Sequence, residues 1–193
     1  ANNLNYIKLN ELSGEDFIYN GIINGIYPLK NLPAEGSLKL KVGCQVMLTK
    51  NDQFGRWVNG TIATISNLSE NEIEIKMKDG KLFSLGKASW EHFEYTFNNK
   101  EKKIDKIYKG NFVQYPLKLA WGITIHKSQG MTFDTICVDL GNGAFSSGQT
   151  YVGLSRVKSL EGLYLRNPIN LGDIIVSSEA LSYYDNKCFE EAS

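Results

Sequence analysis

Apolar and polar residues alternate in short runs between Leu38 and Met77. The runs are separated by Asn51-Asp52, Asn59-Gly60 and Asp79-Gly80, which are residue pairs that favour tight turns. Because successive side chains of a strand point to opposite faces of its sheet, this alternation predicts short strands with one buried face. The segment is therefore typical of a small antiparallel β-barrel.

The last third of the chain has a different pattern, in which predicted strands and helices follow one another. Ile136 to Leu140 is typical of a buried strand, Gln149 to Val157 of a helix, and Leu163 to Leu165 of another strand. Strands that alternate with helices indicate a parallel sheet. The predicted fold class is α/β, a parallel-sheet domain that is interrupted by an antiparallel β-barrel insertion.

Weaker signals predict the remaining elements. The first dozen residues have a helical spacing that ends at Ser13-Gly14, Phe17 to Ile23 favours a strand, and Leu117 to Ile125 alternates as a strand does. The polar segment Asn98 to Lys103 is predicted to be a loop. Helical spacing near the C-terminus predicts a last helix that contains Ala180, Leu181, Tyr184 and Cys188.

Composition limits the possible partners of this 193-residue chain. Lys plus Arg and Asp plus Glu both total 21, so a nucleic acid would have to bind a local patch of positive charge. Cys44, Cys137 and Cys188 form no CxxC pair, which argues against a disulfide framework or a metal site. No apolar run has the length of a membrane helix, so we expect a cytoplasmic protein with no membrane partner.

Two polar segments carry the candidate chemistry. Thr124 to Asp134 combines hydroxyls, a cation, an amide and a glycine between two predicted strands, at the sheet edge where α/β folds bind ligands. Such groups suit contact with phosphates, although a polar loop without a ligand is an equal alternative. In the second segment, Gly148 to Val157, Arg156 projects from the end of the predicted helix. The alternative for this arginine is an ordinary surface salt bridge.

Together these segments resemble a known pattern. Leu119 to Asp134, Gly148 to Arg156 and Ser159 to Leu163 closely resemble motifs V and VI of the Pif-one/RecD-like, superfamily-one helicases. Upstream, Leu38 to Leu48 and Arg56 to Thr61 resemble the start of the Src-homology-three-like subdomain that this family inserts into its second RecA-like domain. The resemblance implies residues 1–37 as the first part of that RecA-like domain, 38–116 as the insertion, and 117–193 as the second part.

The resemblance also implies roles for individual residues. Arg156 matches the arginine finger, which reaches the γ-phosphate of ATP bound on the other RecA-like domain. The positions that match nucleotide contacts are Gly130, Thr132, Gln149 and Tyr151. The positions expected to contact single-stranded DNA are Thr124, His126, Lys127, Ser128, Trp57 and Asn59. For Trp57, a place in the core of the barrel is the alternative.

A GxxxxGK[ST] phosphate loop does not occur in the sequence, and neither does an acidic pair for magnesium. We therefore expect a C-terminal fragment of a 5′ to 3′ ATP-dependent DNA helicase, whose ATP and Mg²⁺ are held by a missing N-terminal RecA-like domain. Alone, the fragment is expected to be inactive. A non-catalytic nucleic-acid-binding module with the same fold is one alternative, and a structural or interaction domain with degenerate motifs is the other. The expected location is the bacterial cytoplasm, near the nucleoid.

Overall fold

A computed structural model describes residues 1–99, 102–179 and 181–183. The chain forms two compact units, the first comprising residues 1–122 and the second beginning at Ile123. No helix among the described residues is long and apolar enough to cross a membrane.

The first unit consists mainly of antiparallel strands. Its described residues form one α-helix, a 3₁₀ turn at Leu29–Asn31 and ten strands: α1 Asn2–Glu11, β1 Phe17–Asn20, β2 Ile22–Gly25, β3 Ser37–Leu40, β4 Gln45–Leu48, β5 Ile62–Leu68, β6 Ile73–Lys76, β7 Leu82–Leu85, β8 Ala88–Asn98, β9 Lys103–Gln114 and β10 Leu117–Leu119. The predicted first helix and the predicted alternating strands between Leu38 and Met77 are confirmed.

Five of these strands form one sheet in the order β10-β4-β5-β6-β7, and every neighbouring pair is antiparallel. Strands β1 and β3 form a second sheet, and β2, β9 and β8 form a third. The alternate side chains of the central strands are buried in one apolar core, to which Leu40, Val46, Ile65 and Ile75 contribute. A Src-homology-three-like subdomain at 38–116, with flanking segments 1–37 and 117–193, stays a prediction.

The long hairpin of β8 and β9 is absent from the sequence predictions. Its turn does coincide with the predicted loop, since β8 ends at Asn98 and β9 begins at Lys103. One face of its outer half carries Tyr95, Phe97 and Ile104, and all three side chains are exposed. Phe93 to Phe97 does alternate apolar and polar residues, so the sequence carried a strand signal there that the predictions did not use.

The predicted strand from Leu117 to Ile125 is wrong beyond Leu119. Only Leu117–Leu119 is a strand, and it pairs with β4 in the antiparallel sheet of the first unit. The buried side chain of Asn5 then binds the backbone of this segment, donating to the carbonyl of Leu119 at 3.2 Å and to that of Gly122 at 2.9 Å. Because the Asn5 side chain of α1 binds these two carbonyls, they are not paired with a neighbouring strand.

The second unit is a small parallel α/β arrangement. Strands β11 (Ile136–Val138) and β12 (Leu163–Leu165) pair in parallel, and helix α2 (Gln149–Leu154) lies between them in the chain. Its described residues also form three 3₁₀ turns, His126–Ser128, Leu160–Gly162 and Leu171–Asp173. The mixed α/β class is confirmed, whereas the predicted helix to Val157 ends three residues early. Ala180, Tyr184 and Cys188 of the predicted last helix lie outside the described residues.

Candidate nucleotide and nucleic-acid site

The guanidinium group of Arg156 is half-buried just beyond the end of α2 and is held by three hydrogen bonds. Its Nε donates to the carbonyl of Val152 at 2.9 Å, its Nη1 to the carbonyl of Met131 at 3.2 Å, and its Nη2 to the hydroxyl of Ser155 at 2.7 Å. All three acceptors are neutral. In the described part of the chain, no carboxylate lies within ion-pair distance of this guanidinium, so the surface salt bridge proposed as the alternative does not form.

The other two arginines are paired with acids. Arg166 donates to Asp139 at 2.9 Å. Arg56 binds both carboxylate oxygens of Asp52, at 2.8 and 2.6 Å. Arg156 is therefore the arginine whose positive charge is not neutralised by a described acid.

Backbone pairing holds the two motif segments side by side. Phe133 and Val157 form a parallel bridge, in which the Phe133 amide donates to the carbonyl of Arg156 at 2.8 Å. The ammonium of Lys158 also contacts the carboxylate of Asp134 at 2.7 Å. The loop that precedes Asp134 and the arginine thus belong to one local structure.

Three of the predicted DNA contacts in this loop are exposed. Thr124, His126 and Lys127 present their side chains to solvent around the 3₁₀ turn His126–Ser128. Ser128 differs, because it is only 5% exposed and its hydroxyl donates to the carbonyl of Ile125 at 2.7 Å. Its side chain stabilises the turn, and we therefore withdraw it as a phosphate ligand.

The predicted nucleotide contacts also divide by exposure. Gly130, Thr132 and Tyr151 are exposed, and the ring of Tyr151 is 75% exposed. Gln149 is only 9% exposed, and its side-chain oxygen accepts a hydrogen bond from the amide of Phe145 at 3.0 Å. Gln149 thus shapes the loop before α2, and its role as a nucleotide contact stays a prediction.

Asp173 is a buried residue of this region that the sequence reasoning missed. Its carboxylate accepts hydrogen bonds from the amides of Asn170 at 2.8 Å and Ala144 at 2.9 Å, and these bonds lower its pKa. Its carbonyl also accepts a hydrogen bond from the hydroxyl of Thr150. Asp173 therefore connects the loop before α2 to the 3₁₀ turn Leu171–Asp173. The only sequence signal for it is the capping spacing from Asn170.

In the first unit, the predicted contacts Trp57 and Asn59 lie in the loop between β4 and β5. Trp57 is 7% exposed and packs in the core against Phe83, with the guanidinium of Arg56 4.6 Å from its ring centre. A buried ring offers no face to a base, so the core alternative is correct for Trp57 and we no longer expect it to contact DNA. Asn59 is exposed, and its amide donates to Asn51 at 2.7 Å.

The carboxylate of Asp52 holds this loop together. In addition to the Arg56 side chain, its Oδ2 accepts from the amides of Phe54 at 2.9 Å and Arg56 at 3.1 Å. The Arg56 guanidinium lowers the pKa of Asp52 to about 2, so the pair stays ionised at neutral pH. The side chain of Arg56 is thus held by Asp52 within this loop. Across the described residues, no group of three or more His, Cys, Asp or Glu could hold a metal ion.

Comparison with known proteins gives strong matches, although no family model matches the chain. The chain is 35% identical over 189 residues to "ATP-dependent DNA helicase Pif1" of Bdellovibrio bacteriovorus, a match covering 95% of this chain and 40% of that protein. The Psychrobacter sp. protein of the same name is 32% identical over 251 residues, covering 100% of this chain and 37% of that protein.

Solved structures agree. Unliganded Pif1 from Bacteroides sp. matches with a TM-score of 0.84 and 34% identity, covering 95% of this chain and 42% of that chain. The Bacteroides Pif1 helicase in complex with ADP-AlF3 and ssDNA matches with a TM-score of 0.79 and 33% identity, covering 98% of this chain and 43% of that chain.

Fold and motif segments together define the class of this chain as a superfamily-one helicase portion. Within that class, the chain belongs to the Pif1-like family, as the resemblance of motifs V and VI predicted. It spans less than half the length of each of these curated relatives.

Proposed function

We propose that this chain is part of an ATP-dependent DNA helicase and that it supplies the arginine finger, Arg156, and a segment of the single-strand track. The observation that carries the proposal is the state of Arg156. Among the residues that the structure describes, this half-buried guanidinium is bound only by neutral acceptors, and it lies at the end of a helix in a unit of the Pif1-like family. A half-buried guanidinium without an acid partner keeps its positive charge available to an anionic ligand.

The fitting ligand is an anion that presents two oxygens side by side, as a phosphate does. Guanidinium presents N–H donors in a fixed fork that matches phosphate oxygens, which the single charge of a lysine ammonium does not reproduce. When bound, ATP supplies a γ-phosphate on which negative charge develops during hydrolysis. A guanidinium directed at that charge contributes on the order of 10³ to 10⁵ in rate, or roughly 4 to 7 kcal/mol.

Thr124, His126 and Lys127 are our proposed contacts to the DNA backbone, because they are exposed and clustered on one turn. A hydroxyl, an imidazole and an ammonium suit phosphate contacts, which position a strand without reading its sequence. Asn59 is a weaker proposal of the same kind in the first unit. Single-stranded DNA in the solved complex of a relative supports this choice of partner.

Thr132, Gly130 and Tyr151 are our proposed nucleotide contacts. They flank Arg156 in the chain segments that the Phe133 to Val157 bridge holds together. Because the turn His126–Ser128 belongs to the same segment as Gly130, a shift caused by nucleotide would reach the proposed DNA contacts through few bonds. This arrangement supports a coupling role for the loop.

The exposed sheet of the second unit supports the proposal of a further RecA-like domain as partner. Parallel strands are normally covered on both faces. Here the paired residues Cys137 and Tyr164 are exposed on one face of β11 and β12. We propose that other parts of a longer protein cover such surfaces, hold the Mg²⁺ and complete the ATP site. The 5′ to 3′ direction is proposed on family resemblance alone, and a cytoplasmic location is proposed as the sequence led us to expect.

The test is steady-state ATP turnover by the full-length protein, with and without single-stranded DNA. We expect Arg156→Ala and Arg156→Lys both to reduce the DNA-stimulated kcat by at least about 10³-fold, while DNA affinity stays near that of the unchanged protein. The matched control is Arg166→Ala, which removes an exposed arginine from the same unit and should leave kcat within about twofold. Turnover by Arg156→Ala within a few-fold of the unchanged protein refutes the proposal.

A further inference from the structure

Ser155 lies between the end of α2 and Arg156, and its hydroxyl makes two hydrogen bonds of opposite sense. It donates to the carbonyl of Val152 at 3.1 Å and accepts from Nη2 of Arg156 at 2.7 Å. A hydroxyl has one proton and two lone pairs. Because the proton is used on Val152, a lone pair is left for the guanidinium.

The Val152 carbonyl serves both residues. It accepts from the hydroxyl of Ser155 at 3.1 Å and from Nε of Arg156 at 2.9 Å. One edge of the guanidinium, Nε with Nη2, is therefore bound by a carbonyl and a hydroxyl that are themselves bonded to each other. This closed set of contacts restricts the rotation of the guanidinium plane more than separate acceptors would.

The contacts also leave donors available. A guanidinium has five N–H groups. Three are used, by Val152, Met131 and Ser155, and among the described residues the remaining two, one on each terminal nitrogen, have no partner. Arg156 is thus held in a fixed plane with an uncommitted donor on each arm, which suits an incoming phosphoryl group.

We propose that Ser155 is a positioning residue for the arginine finger: its hydroxyl fixes the plane of the Arg156 guanidinium before nucleotide arrives. This inference rests on the proposed function of Arg156 and adds to it a second residue that does not touch the substrate. Electrostatic stabilisation depends on donors that are already oriented when charge develops, so loss of the hydroxyl lowers the rate of the chemical step.

The experiment compares Ser155→Thr with Ser155→Val in the full-length protein, because these two side chains have the same shape and differ in one hydroxyl. Threonine keeps both hydrogen bonds, and we expect a kcat for DNA-stimulated ATP turnover within about twofold of the unchanged protein. Valine removes them, and we expect kcat to fall about tenfold, which corresponds to ~1.4 kcal/mol. The KM for ATP and the affinity for single-stranded DNA should change less than twofold in both variants.

A merely structural role would lower the thermal midpoint and weaken DNA binding in the valine variant together with kcat, and that result overturns the inference. Equal kcat values for the threonine and valine variants also overturn it. Arg156→Ala is measured beside them. If Arg156→Ala keeps its turnover, the proposed function fails. If Arg156→Ala loses turnover while Ser155→Val has no effect, only the role of Ser155 fails. Should Ser155→Val fail to fold, Ser155→Ala replaces it in the same comparison.

Discussion

Gly162 provides a stringent test of how the two motif segments pack together. It ends the turn Leu160–Gly162, directly before β12, and is buried. A Cβ atom added at this position would lie 1.9 Å from the carbonyl oxygen of Asp134 and 3.0 Å from Cγ2 of Val157. Both neighbours belong to the segments that carry the proposed site, and the nearer one is backbone.

The size of the effect of Gly162→Ala follows from these distances. An approach of 1.9 Å is far inside ordinary van der Waals contact of about 3.5 Å, and a backbone carbonyl cannot rotate away as a side chain can. The Asp134 segment must move by more than 1 Å, which breaks the bridge between Phe133 and Val157 or strains it. Forcing extra atoms into a packed site typically costs about 1 to 3 kcal/mol, and we expect the upper end of this range.

The assay is chemical denaturation of the full-length protein, followed by ATP turnover of the folded variant. The matched control is Gly153→Ala on α2, where the added Cβ would meet Ile125 and Val138 at 3.4 Å, an ordinary contact. Alanine also favours a helix over glycine, so the control should gain roughly 0.5 to 1 kcal/mol. Equal stabilities of the two alanine variants would refute the packing described for motifs V and VI.

Two further predictions concern the first unit. Asn5→Ala removes the hydrogen bonds of Asn5 to the backbone of Leu119 and Gly122. Because those backbone groups are then unsatisfied, we expect urea titration to show a free energy of unfolding lower by about 2 to 3 kcal/mol. A loss below ~0.5 kcal/mol contradicts this role of Asn5. Burial raises the pKa of Tyr19 to about 12, so its ionisation favours the unfolded state, and stability that is present below pH 10 should be lost between about pH 10 and 12. Tyr19→Phe should reduce that loss, and identical pH profiles would contradict it.

Periodicity in the sequence predicted the elements whose side chains alternate between core and solvent. Leu38, Leu40, Val46 and Ile65 lie at period-two positions and are all buried, because strand geometry by itself determines which face each side chain takes. The same rule failed for Leu117 to Ile125. There the pattern continues past Leu119, but Asn5, more than a hundred residues away in sequence, binds the backbone groups that a longer strand would need.

The candidate site shows the same limit. Family resemblance led us to propose Arg156 and the loop residues His126 and Lys127, and the structure shows the side chains of both loop residues exposed. It could not separate side chains that face solvent from those that stabilise the loop, such as Ser128 and Gln149, because both kinds are polar and lie in the same motifs. That distinction depends on three-dimensional hydrogen-bond partners. Trp57 is a similar case, since burial and not residue type determines whether a ring can stack on a base.

The most direct measurement of the central claim compares the affinity of the full-length protein for ADP with its affinity for ADP plus aluminium fluoride, in the unchanged protein and in Arg156→Ala. Bound beside ADP, aluminium fluoride imitates the phosphoryl group in the transition state of hydrolysis. An arginine finger acts mainly by stabilising the charge of that state. We expect the unchanged protein to bind the aluminium fluoride complex at least about 10²-fold more tightly than ADP, and Arg156→Ala to lose most of this gain while keeping its affinity for ADP. An equal gain in both proteins would show that the charge of Arg156 does not meet the transferring phosphate.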